Sequence, residues 1–114
     1  MSSKSKNKDD SVYIEHILDC LHRIDEYVEG QEQFYSSHLV QDAVIRNLQV
    51  MAESSQRLSV AFKSRFAHIP WKALSGFRNI LVHGYLGVDL DMIWSVVEQD
   101  LPALERTLSQ FDKE

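Results

Sequence analysis

The stretch Phe77-Arg78-Asn79-Ile80-Leu81-Val82-His83-Gly84-Tyr85 sets the densest polar functionality of the chain beside apolar residues. A histidine titrates near neutral pH and can take or give a proton, while an arginine stays charged and offers a planar fork to the nonbridging oxygens of a phosphate. The pair suits phosphodiester cleavage without a metal, RNA supplying its own nucleophile in the 2′-hydroxyl. Asn79 is placed to orient substrate or fix a histidine tautomer, and Tyr85 adds a hydroxyl just beyond His83. Residues five apart on a regular helix lie about 140° apart around its axis. Arg78 and His83 therefore converge on one phosphate if the helix loosens at His83, which Gly84 permits. The plainer alternative is a capping or surface role, since the negative end of a helix dipole by itself favours a histidine in the last turn.

The charge pattern weakens that alternative. The 114 residues carry 17 acids against 12 Lys/Arg, a formal charge of −5, which taken whole argues against a phosphate-rich partner. The distribution is uneven: residues 1–8 carry +3, residues 9–53 carry −8, residues 54–88 carry +5 with no acid at all, and residues 89–114 carry −5. The acid-free segment holds Arg57, Lys63, Arg65, Lys72 and Arg78, with His68 and His83 beside them. Arg57, Lys63, Arg65 and Lys72 are the candidate RNA-binding cations.

These residues need a scaffold, and the apolar spacing supplies one. Residues 1–9 are polar and aperiodic, and are expected to form a flexible arm outside a single domain over 10–114. Ile14, Ile17, Leu18, Leu21, Ile24 and Val28 recur at three and four, the stripe of an amphipathic helix starting at Asp10 or Ser11 and ending near Gly30. After a polar link over 31–39, a second stripe from Val40 to Leu58 predicts a long central helix capped by Ser36 or Ser37. A short helix from Ser59 to about Phe66 follows, then one from about Trp71 to His83, with Pro70 in its first turn and Gly84 at its C-terminal cap. Asp89 should cap the last helix, with Val88 stapled against Ile93 and a bend at Pro102. No strand pattern of useful length appears. The expected fold is all-α, an up-and-down bundle of four or five helices.

Composition excludes collagen-like, mucin-like and strongly disordered classes, and no apolar run reaches membrane-spanning length. A soluble cytoplasmic protein is expected. The lone Cys20 cannot form an internal bridge and reads as a buried thiol. His16 and His22 lack supporting carboxylates at ligand spacing, so no metal and no cofactor is expected. Trp71, Trp94, Phe77 and Phe66 could stack bases, but aromatics on apolar stripes more often fill a core.

The segment Arg78–Tyr85 resembles the Arg-x4-His-x-Tyr motif of the HepT-like proteins, a branch of the HEPN superfamily of helical ribonucleases. Asp42–Leu48, Ile69-Pro70-Trp71, and Val88-Asp89 with Trp94 look like the same family, so the resemblance covers about residues 10–110. It implies a bacterial or archaeal toxin of a toxin–antitoxin system. Such a toxin is a metal-independent ribonuclease, a homodimer with two motifs facing a shared cleft. Arg78 and His83 would then be catalytic and Asn79 supporting. Tyr85 would be the residue that a cognate MntA-type nucleotidyltransferase antitoxin modifies with AMP. Where relatives commonly read Gly-Glu-Ala, this chain has Ala52-Glu53-Ser54. Glu53 pairs with Arg78 or orients His83 if it faces the cleft, and is otherwise an exposed helix carboxylate. Two rivals stand beside the ribonuclease: a non-catalytic binding partner and modification target of a nucleotidyltransferase, and an all-α dimerisation module with no nucleotide chemistry.

Overall fold

A computed structural model describes the backbone of residues 2–83 and 89–112 and the side chains of 10–78 and 89–111. Among the described residues it is all-α: α1 (Ser2–Tyr27), α2 (Gln31–Ser36), α3 (His38–Gln56), α4 (Val60–Arg65), α5 (Trp71–His83), α6 (Leu90–Ser95) and α7 (Leu101–Asp112). A π turn, Val96–Asp100, joins α6 to α7. Four long helical stretches form the bundle expected from the apolar stripes, with α3 packed between α1 and α5 and α7 against α1.

The stripes become the core. Ile14, Ile17, Leu21 and Ile24 of α1 meet Val44, Leu48 and Met51 of α3, and Ile93, Leu104 and Leu108 close the far side. Cys20 is buried, and burial followed by the neighbouring Asp19 carboxylate pushes its thiol pKa up. Ser37 caps α3, accepting from the Val40 N–H at 3.2 Å. Ser59 caps α4, and Asp89 caps α6 through the Asp91 and Met92 N–H groups.

Two expectations change. The first helix starts earlier than expected: α1 runs back through residues 2–9 to Ser2. They contain no Gly or Pro, and once the packed turns have nucleated a helix, extending it costs little. Asp10 is buried at the level where α3 has ended, its carboxylate accepting from the Ser59 N–H at 2.8 Å and the Ser59 hydroxyl at 2.7 Å. The polar link over 31–39 contains α2, anchored by the fully buried Phe34, whose ring lies 5.4 Å from that of Trp94. The buried Gln41 amide donates to the Phe34 and Tyr35 carbonyls at 2.9 and 3.2 Å, satisfying the end of α2 from α3. The expected Gly84 cap and Val88 staple lie outside the described residues.

At Pro102, the expected site of a bend, the helix is irregular. A proline inside a helix lacks an N–H and crowds the carbonyl four residues back. The π turn sits directly before it, its widened ring closed by the Leu101 N–H on the Val96 carbonyl.

Candidate functional site

The site is built on α5, and the packing of α5 on α3 fixes it. At the N-terminal end the Pro70 carbonyl accepts from the Leu74 N–H at 3.0 Å, and the Trp71 indole donates to the Phe66 carbonyl at 3.0 Å. Leu74 and Phe77 are buried and dock α5 in the core. The Ser75 and Ser55 hydroxyls meet at 3.4 Å, and the Gln56 amide donates to the Ser75 carbonyl at 3.2 Å. Arg78, the residue after Phe77, is thereby turned to the surface.

There it meets α3. Arg78 Nε donates to Glu53 Oε1 at 3.4 Å, with both side chains about half exposed (46% and 56%). A long ion pair in solvent adds little to stability. What it does is hold the guanidinium fork outward, on a contact loose enough to be exchanged for a phosphate. Glu53 is thus at once an exposed helix carboxylate and the partner of Arg78.

α5 stays helical through His83, so the backbone does not loosen at that residue. In helical register Arg78 and His83 lie about 140° apart around the axis and about 7.5 Å apart along it. Asn79 and His83 are described in backbone only, and Tyr85 lies outside the described residues.

The four candidate RNA-binding cations take different positions. Arg57 is exposed at the C-cap of α3. Arg65 lies on aromatic faces, its guanidinium carbon 5.0 Å from the Phe66 ring centre and 5.3 Å from that of Phe111. Lys63 and Lys72 share one groove of about 450 Å³ between α4 and the start of α5. Trp71 and Phe77 are core residues, as their place on the stripe suggested.

Two features had no signal in the sequence. A groove of about 550 Å³ lies between α1 and α3, lined among others by His16, Arg23, Arg46 and Asn47. The Tyr35 hydroxyl donates to Asp91 Oδ1 at 2.5 Å, joining α2 to α6. Both depend on the relative rotation of helices far apart in the chain.

Arg78 is thus exposed on α5 and paired to the central helix. The family described as ribonuclease HepT-like matches residues 17–111. The chain belongs to the HepT-like ribonuclease family. A protein of Thermococcus cleftensis named a probable ribonuclease HepT is 32% identical over 96% of this chain and 99% of its own length. A protein of Methanocaldococcus jannaschii whose name couples a gamma-glutamylcyclotransferase with a candidate RNase is 37% identical over 94% of this chain. The chain spans about half (49%) of that relative's length. A second M. jannaschii protein, named as a candidate RNase, is 30% identical over 87% of this chain and 93% of its own. No solved structure matches this chain. Among the described residues of this HepT-like chain, no helix is long and apolar enough to cross a membrane.

Proposed function

We propose that this HepT-like chain is the toxin of a toxin–antitoxin pair, a metal-independent ribonuclease acting in the cytoplasm as a homodimer. The observation that carries the reading is the exposed Arg78 fork on α5, in a family of ribonucleases and in a segment without a carboxylate. The 2′-hydroxyl of RNA attacks the adjacent phosphorus and gives its proton to a His83 imidazole. The bond to the 5′-oxygen breaks, and that oxygen leaves with a proton from an imidazolium. The products are a 2′,3′-cyclic phosphate and a 5′-hydroxyl. Arg78 neutralises the charge on the nonbridging oxygens, releasing Glu53 to do so, and Asn79 supports the pair. A twofold arrangement places two arginines and two histidines in one cleft, so the register separation within one helix is met by the second copy. AMP transfer to Tyr85 by a cognate MntA-type nucleotidyltransferase brings negative charge and bulk to this cleft and silences it.

The rival reading, a non-catalytic modification target of the nucleotidyltransferase, draws on the 140° register between Arg78 and His83 (about that value for any regular helix). Cleavage in EDTA separates the two. The purified protein should cut RNA to cyclic-phosphate ends, and Arg78→Ala and His83→Ala should each lower the rate by about a hundredfold or more. Equal cleavage by wild type and both variants overturns the catalytic assignment of Arg78 and His83, and no cleavage by a dimeric, unmodified wild type decides for the rival.

A further inference from the structure

On the ribonuclease reading RNA is cut at Arg78 and His83, which leaves open how the rest of the strand lies. The groove between α4 and α5 bears on this. It is walled by apolar surface from Val60, Ala67, Pro70 and the edge of Trp71, with Lys63 and Lys72 on it. Val60 is 81% exposed, so a large apolar side chain faces solvent beside two cations. Neither lysine has a carboxylate partner among the described ion pairs, and residues 54–88 hold no acid to provide one. Asp10, which reaches this end of the bundle from α1, is buried and already holds the Ser59 N–H and hydroxyl. An apolar floor flanked by unpaired ammonium groups suits a nucleotide, whose base face is apolar and whose flanking phosphates are anionic.

The register of α5 connects this groove to the motif. Residues 72, 76, 79 and 83 follow spacings of four, three and four, so Lys72, Gly76, Asn79 and His83 share one face, Lys72 and His83 differing by about 20° around the axis. Lys72 is exposed at one end of that face. At Gly76 an added Cβ would meet nothing within 4 Å, so the middle of the face is open. A glycine inside a helix weakens it relative to alanine. Here it leaves a flat step on the surface.

We infer that single-stranded RNA runs along this face of α5, from the scissile phosphate at His83 over Gly76 to a remote nucleotide subsite in the Lys63/Lys72 groove. The inference rests on the ribonuclease reading and adds a length requirement to it. Lys72 and His83 lie about 17 Å apart along the helix. At about 3.4 Å per stacked nucleotide, that is some five nucleotides on one side of the cut. A trinucleotide does not reach the groove.

The test uses fluorescence anisotropy with oligoribonucleotides made uncleavable by 2′-O-methylation, a dodecamer and a trinucleotide, on wild type and Lys63→Ala/Lys72→Ala across a salt series. Wild type should bind the dodecamer at least tenfold more tightly than the trinucleotide, and in the double variant that advantage should collapse. The slope of log affinity against log salt for the dodecamer should fall by about 1.4, from two single-strand phosphate contacts at about 0.7 each. Gly76→Glu, placing a carboxylate in the path, should weaken the dodecamer likewise, with circular dichroism checking that each variant is folded. An unchanged slope and an unchanged dodecamer advantage in the folded double variant overturn the inference. Because binding is read without cleavage, a wild type that binds with this slope but never cuts its 2′-hydroxyl counterpart sinks the ribonuclease reading alone.

Discussion

The hydrogen bond from Tyr35 to Asp91 pushes the phenol pKa up to about 12, with desolvation and then the charges of Asp91, Asp89 and Glu98 adding to the effect. The sign follows from proton linkage. The folded state holds this proton more tightly than the unfolded chain, whose tyrosine titrates near 10.0. The stabilisation is therefore full below pH 10 and disappears as pH rises from 10 to about 12. Alkaline titration followed at the tyrosinate absorbance should show the Tyr35 phenol ionising late, and Tyr35→Phe should remove that late step. At the same scale, the sequence located Arg78 but left Glu53 undecided between a pairing role and plain exposure. Those two residues are 25 positions apart, and whether they meet depends on how α3 and α5 are rotated against each other. Spacing within one helix carries no record of that rotation.

Among the elements, the long helices were legible because each buries a stripe of many apolar residues, and α2 was not because it buries one. A six-residue helix with Phe34 as its only buried residue has no period to read, and its existence depends on Gln41 and Trp94, which come from other helices. The turn leading into it depends on Gly30, at φ 157° and ψ 175°, a conformation side chains disfavour. Gln33 braces the same turn, accepting from the Glu29 N–H at 3.0 Å and donating to the Tyr27 carbonyl at 3.1 Å. A Cβ at Gly30 would meet nothing within 4 Å, so the whole cost of Gly30→Ala is conformational. The variant should lose about 1–3 kcal/mol, seen as a lower urea midpoint at unchanged m-value. The helical continuation to Ser2 was illegible for the opposite reason, since residues with no apolar pattern can still prolong a helix that others have started.

At the scale of the whole molecule, α1, α3, α5 and α7 share one core cluster, and Leu48 lies at its centre with no exposure. Leu48→Ala should cost about 2–5 kcal/mol. The thermal transition should move down as a single step, seen alike by far-ultraviolet circular dichroism and by tryptophan fluorescence. That shared interior also explains the C-terminal spacing. Buried positions 93, 96, 101, 104 and 108 step by three, five, three and four, and the step of five falls across the π turn between Val96 and Leu101. A regular helix would carry Leu101 off the buried face. The π turn takes up one surplus residue and returns α7 to phase. The surplus residue and Pro102 behave as a matched pair, a frame slip and its suppressor. Removing one residue from 97–100 together with Pro102→Ala would leave an uninterrupted helix with the same interior, whereas removing the residue alone would set the proline against a closed α-helical turn.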